Sequence, residues 1–267
     1  MKRLISAIAV AFSLIAARPA EAEEPVDNDL ESRAIVFAAN TGLGAALGCI
    51  GSEMSGDGCL EGLWKGSLGG AVTFAGMELG SYNARVPFTG LAGRQIVNLG
   101  SSMTSNAMFS RGLLQRYETD FGPVVFSLDN YEGFHAYIMP LATGVIFYNF
   151  TMGNRLNLIE SLEDGTFVFN FDKLSFRGGM LYDGNTTSTI PAYLPGYPTA
   201  RSHENIHTYQ LSRVRWTDEL VPQLDFIKYG AELSNLILIA PSNVIGGNAY
   251  HYAPLEIEAS AMMRSAD

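Results

Sequence analysis

Two stretches near the N-terminus carry glycine at four-residue spacing: Gly44 and Gly48 in one, and Gly62, Gly66 and Gly70, continued by Gly76 and Gly80, in the other. On a helix this spacing falls on one face, so the glycines make a strip without side chains along which a second backbone can approach closely. Ala34 to Ile50 is uncharged and rich in small residues, and Leu63 to Leu79 repeats the theme. The pattern predicts a helical hairpin. Cys49, near the end of the first run, and Cys59, just before the second, flank a loop that contains Gly and Ser. In an oxidising compartment they are expected to form a local disulfide that clips the hairpin. No further cysteine or nearby histidine completes a zinc set with that pair. Both runs are short for a bilayer, so packing on the rest of the protein is expected, with peripheral or integral membrane contact the competing use of the same surface.

Met1-Lys2-Arg3 is a short basic start, Leu4 to Ala17 an apolar run, and Ala20-Glu21-Ala22 supplies small residues where a signal peptidase reads them. Residues 1–22 are therefore expected to be a cleavable export signal. The mature chain would be periplasmic or secreted and begin near Glu23. The whole chain carries a formal charge of −10, which becomes −12 when Lys2, Arg3, Arg18 and Glu21 leave with the signal. An acidic body repels phosphate backbones, so nucleic acid is not an expected partner. With 47% hydrophobic and 16% charged residues the mature chain can bury a sizeable core.

Arg94 to Leu114 again reads as helix. The period then changes. Pro123 to Leu128, Phe134 to Met139, Gly144 to Phe150 and Thr166 to Phe171 are short aromatic and β-branched runs separated by Gly, Asn and Asp, which predicts a strand meander. Asp183 to Tyr197 is polar and proline-bearing, a rim or lid loop. Leu224 to Ile239 reads as one or two apolar helices, after a turn from Thr217 to Gln223.

The chemistry is concentrated in His203-Glu204-Asn205-Ile206-His207, an HExxH sequence. Pro198 and Thr199 suit a helix entrance, and no Gly or Pro interrupts Ala200 to Trp216. On such a helix the two histidines lie one turn apart on one face and can aim at a single zinc ion. Glu204 would stand beside the metal and act as a general base and acid on its bound water. Ile206, Leu211 and Val214 are expected to face a core while His203, His207 and Gln210 line another side. Arg201, two residues before the motif, is expected to be a solvated helix-start arginine, the other use being an anionic substrate group. His135 lies in a strand-like stretch and is expected to be an ordinary packed residue.

A third protein ligand is needed. Pro254-Leu255-Glu256-Ile257-Glu258-Ala259-Ser260 offers Glu256 or Glu258, about fifty residues beyond His207. With HENIH this resembles the gluzincin metallopeptidases, in which HExxH on one helix is completed by a glutamate on a later one. The resemblance covers about positions 199–211 and 250–263. It implies Glu256 as third ligand, with Ala259 in place for an ExxAD arrangement. Ser260 stands where that pattern has an aspartate buttressing a zinc-binding histidine, which keeps Glu258 as the alternative. The resemblance also implies a histidine or tyrosine on the tetrahedral oxyanion. His251 and Tyr252 are the candidates, with Tyr209 and Tyr250 also near in sequence. Gln210 and Arg213 occupy the glycine and histidine positions of the metzincin signature and exclude it.

The sequence thus leads to an α+β, zincin-like fold: a Gly-rich helical region at 23–116 and a metallohydrolase region at 117–267, with Zn²⁺ as cofactor and a peptide or protein as substrate. The competing reading is a non-enzymatic envelope or membrane-associated protein built around glycine-zipper helices, with HENIH incidental.

Overall fold

The glycine strips face each other. In the computed structural model, which describes residues 30–83, 85–170, 186–189, 197–221, 227–230, 232, 258, 259 and 262, α1 (Leu30–Ser55) and α2 (Cys59–Gly80) form an antiparallel hairpin. Its register sets Asn40 against Gly70, Gly44 against Gly66 and Gly48 against Gly62. A Cβ at Gly44 would lie 2.1 Å from the Gly66 carbonyl oxygen, and one at Gly48 2.0 Å from that of Gly62. Only glycine lets the backbones come this close. Cys49 and Cys59 are disulfide-bonded at the closed end of the hairpin.

The second face of α2 repeats the device against α3 (Thr89–Met108), where Gly69 meets Thr104, Gly100 meets Thr73, and Gly93 meets Gly80. The sequence reading ran this third helix from Arg94 to Leu114, whereas it starts five residues earlier, after Phe88 in a left-handed conformation, and stops at Met108. At 26 residues α1 is longer than the run that announces it, and by length and composition it is able to cross a membrane.

After the three helices come β1 (Arg116–Phe121), β2 (Val124–Asp129) and β3 (Gly133–Ile138), an antiparallel meander in the order β1-β2-β3. Two of the predicted strand runs are therefore strands here. The third is not: Gly144 to Phe150 lies inside α4 (Pro140–Thr151). Pro140 holds the first helical position, and the backbone N–H groups of Leu141 and Ala142 donate to the Glu232 carboxylate at 3.1 and 2.8 Å. Those contacts satisfy the helix start and outweigh the β-leaning composition of the run. Then follow β4 (Arg155–Leu156), α5 (Leu158–Asp164), β5 (Phe167–Asn170) and β6 (Thr186–Thr189). The last three strands form a second sheet in which β5 pairs antiparallel with β4 and parallel with β6. β6 interrupts the stretch read as a rim loop; the rest of that stretch up to 196, and most of the helical stretch expected at 224–239, lie outside the described residues.

The HENIH sequence lies on α6 (Tyr197–Arg213), followed by a 3₁₀ helix (Arg215–Glu219) where a turn was expected. Ile206 and Tyr209 pack with Val36, Met77 and Val97 of the three-helix layer. Leu211 and Val214 pack instead with Val125, Tyr137, Met139 and Ala142. One helix thus closes two cores. Trp216, just beyond it, joins a third cluster with Leu47 and Met108.

Candidate metal centre

Polar contacts hold α6 from several sides. The Ser202 hydroxyl donates to the Ser81 carbonyl at 2.7 Å and that of Ser101 to the Ser212 carbonyl at 2.7 Å. Arg94 of α3, fully buried, pairs with Asp120 of β1 at 2.5 Å and also donates to the Thr208 hydroxyl. Burial pushes the Asp120 carboxyl up, but Arg215 and Arg94 outweigh it and the carboxyl stays below its ordinary value. Tyr209 sits in the space that Gly80 leaves open; its hydroxyl donates to the Gly90 carbonyl and accepts from the Asn205 amide, each at 2.8 Å. Burial drives that phenol well above its ordinary range. Tyr209 is thus a packing residue rather than an oxyanion donor.

Arg201 corrects an expectation. It is buried, not solvated, and binds Asp164 through two nitrogens at 2.9 Å each and Glu163 at 3.0 Å. Asp164 also accepts from the Asn83 amide at 3.1 Å. Burial raises the Asp164 carboxyl above its ordinary value in spite of Arg201. An arginine this engaged fixes the start of α6 against α5 and is not offered to a substrate.

On the remaining face His203 and His207 stand together, with their Nε2 atoms 3.1 Å apart. Two imidazoles bound tetrahedrally to one zinc at ordinary Zn–N lengths have nitrogens about 3.3 Å apart, so this pair fits two corners of such a site. The far nitrogen of His207, Nδ1, lies 2.8 Å from Gln210 Oε1, and Gln210 Nε2 donates to Glu258 Oε2 at 3.0 Å. Glu258 Oε1 accepts from Arg213 at 2.5 Å and from the Asn40 amide of α1 at 3.0 Å. His207, Gln210 and Glu258 are buried, while His203 and Glu204 are partly exposed on the same helix. The two imidazoles thus differ in exposure, His207 lying deep and His203 shallower, with the Glu204 carboxylate reachable from solvent.

Of the residues marked in the sequence, the structure brings His203, His207, Gln210 and Glu258 together. Glu256, His251, Tyr252 and Tyr250 lie outside the described residues. Among the described residues no group of three or more His, Cys, Asp or Glu gathers at one point. His135, on β3, is exposed rather than packed, with Nε2 3.1 Å from the Glu132 carbonyl oxygen and its ring stacked near Tyr137. Asn40 was missed, although an amide in the uncharged small-residue run from Ala34 to Ile50 is a visible irregularity. Arg213 served only to exclude a signature and is in fact the ion-pair partner of Glu258. No family model matches the chain, and neither a curated protein nor a solved structure matches it.

Proposed function

We propose that this protein is an exported zinc-dependent hydrolase of peptide or related amide bonds, with a gluzincin-like site. The observation that carries the reading is the His203–His207 pair, whose facing nitrogens stand 3.1 Å apart on the HENIH helix. His203 and His207 hold the metal, and a glutamate near the C-terminus, Glu256 or Glu258, completes the set. Zinc at such a site lowers the pKa of a bound water and polarises a carbonyl. Glu204 takes the proton of the attacking water and returns it to the leaving nitrogen. His251 or Tyr252 holds the developing oxyanion. Burial of α6 against three helices and a sheet keeps the histidines in place, while the partial exposure of His203 and Glu204 leaves the substrate side open.

The test is a pair of measurements on purified protein. About one zinc per chain is expected, and Glu204→Gln should retain that zinc while losing cleavage of a mixed peptide library. Protein without zinc after purification in zinc-supplemented buffer would overturn the reading. The envelope-protein reading draws its support from a different place. Ile35, Phe37, Leu60, Leu63, Trp64 and Leu68 on α1 and α2 are exposed apolar side chains. A metal-free protein that sediments with lipid vesicles would favour it.

A further inference from the structure

The contacts behind His207 settle which of its nitrogens can face the metal, and they do so through residues that are not themselves ligands. We infer that Gln210 and Glu258 are positioning residues for His207, and that Glu258 is an anchor rather than the third ligand. The inference rests on the metal-site reading above and assigns roles within it.

The hydrogen-bonding sense of the Glu258 carboxylate is fixed. A carboxylate accepts and does not donate, and an amide presents a donor on one side and an acceptor on the other. Glu258 Oε2 faces Gln210 at 3.0 Å, so the Gln210 NH₂ must point there. Its carbonyl oxygen then faces His207 Nδ1 at 2.8 Å, and Nδ1 must carry the proton. In the neutral imidazole this leaves the Nε2 lone pair directed at the His203 side. The identity of residue 258 thus sets the tautomer of residue 207 across one intervening amide.

Glu258 is already engaged at both oxygens. Oε2 accepts from Gln210, and Oε1 accepts from Arg213 and from Asn40. Asn40 Oδ1 in turn accepts from Arg213 at 3.1 Å, so amide, guanidinium and carboxylate close a ring. Asn40 lies where α1 and α2 touch: a Cβ at Gly70 would fall 2.2 Å from its carbonyl oxygen. The chain of contacts therefore ties His207 to the glycine-packed hairpin. A glutamate held this way orients a metal-binding histidine from behind, and outer contacts of that kind typically change metal affinity 10- to 100-fold.

The experiment uses the full chain with ¹⁵N-labelled histidine. Long-range ¹H–¹⁵N correlation on metal-free protein, at a pH well above the histidine range, reads the tautomer directly. Zinc affinity is measured separately by competition with a chromophoric chelator. We expect His207 as the Nδ1–H form in the unmutated chain. In Gln210→Leu that preference should be lost and zinc affinity reduced about 10- to 100-fold. In Glu258→Gln zinc should still bind, within about 100-fold of the parent. An Nε2–H form in the unmutated chain, which needs no variant to observe, overturns the relay. Abolished zinc binding in a folded Glu258→Gln protein overturns the anchor role and makes Glu258 a ligand. If the tautomer behaves as stated but no form of the protein binds zinc, the relay holds and the hydrolase reading fails.

Discussion

His203 and His207 turn their Nε2 atoms toward each other across one turn of α6, 3.1 Å apart. Either a neutral His203 donating from its Nε2–H to the His207 Nε2 lone pair or a metal cation between two lone pairs satisfies this contact, and zinc analysis tells the two apart. Replacing either histidine with alanine should abolish zinc retention after dialysis, because loss of one protein ligand removes much of the binding free energy. Zinc analysis of the two variants beside the parent checks this. Full zinc in both would remove the assignment.

The hairpin permits an opposed pair of substitutions two residues apart. Gly42 is exposed, with nothing within 4 Å of a Cβ built there, so Gly42→Ala should stabilise the protein by up to about 1 kcal/mol through helix propensity. At Gly44 the same methyl meets the Gly66 carbonyl oxygen at 2.1 Å, a backbone atom that cannot rotate away. Overpacking of about 1–3 kcal/mol or more then exceeds the propensity gain, and Gly44→Ala should be destabilising. Urea titrations of both variants decide it; a stabilised Gly44→Ala would contradict the close packing.

Legibility followed the range of the interactions. The glycine hairpin and the HENIH helix were readable because their signals repeat within a few residues of themselves: glycine spacing in one case, a motif within one helical turn in the other. α4 was misread because its decisive contact comes from Glu232, about ninety residues downstream, which no local window contains. Arg201 was misread for the same reason, since Asp164 and Glu163 lie well back in the chain on α5. At the site, periodicity predicts one core face for Ile206, Leu211 and Val214, whereas Ile206 packs in one cluster and Leu211 and Val214 in another, and His207 and Gln210 are buried as well. Glu258 came from a short motif as the alternative to Glu256, and its contact with Asn40, some 218 positions away, is one that no local window contains.

Acid sensitivity should show one carboxylate plainly. Burial alone would push the Glu118 carboxyl up, but Lys228 and Arg116 outweigh it and hold it at about 2 against an ordinary 4.5. A depressed folded pKa gives stability that is fully present above the unfolded value and disappears as pH falls from about 4.5 toward 2. The shift corresponds to about 3 kcal/mol. Asp120 and Asp129, also held below their ordinary value, act in the same sense, while Asp164 and Glu232, whose carboxyls burial raises, act in the opposite one, so the total acid profile is not that of Glu118 alone. The difference between the parent and Glu118→Gln isolates it. That gap should shrink by about 3 kcal/mol between about pH 5 and pH 2; a gap independent of pH would show that the ion pairs with Lys228 and Arg116 are not formed in solution.

The Cys49–Cys59 bond joins α1, six residues before its last, to the first residue of α2, closing a loop of sequence separation 10. By the chain-entropy estimate a loop of this size stabilises the folded state by about 3 kcal/mol, chiefly by restricting the unfolded chain. The glycine contacts already hold α1 and α2 in register, so reduction should lower the melting temperature without separating the helices. The bond lies at the closed end of the hairpin, whereas the His207–Gln210–Glu258 chain meets α1 at Asn40, more than two turns away along the helix. Zinc content should therefore survive reduction or a Cys49→Ser, Cys59→Ser double substitution, while the midpoint of urea unfolding falls. Both thiols should resist alkylation in native protein until reductant is added. Rapid labelling of unreduced protein would show the bond to be absent, and zinc loss in the folded double variant would show that the clip, and not the glycine packing, sets the geometry of the site.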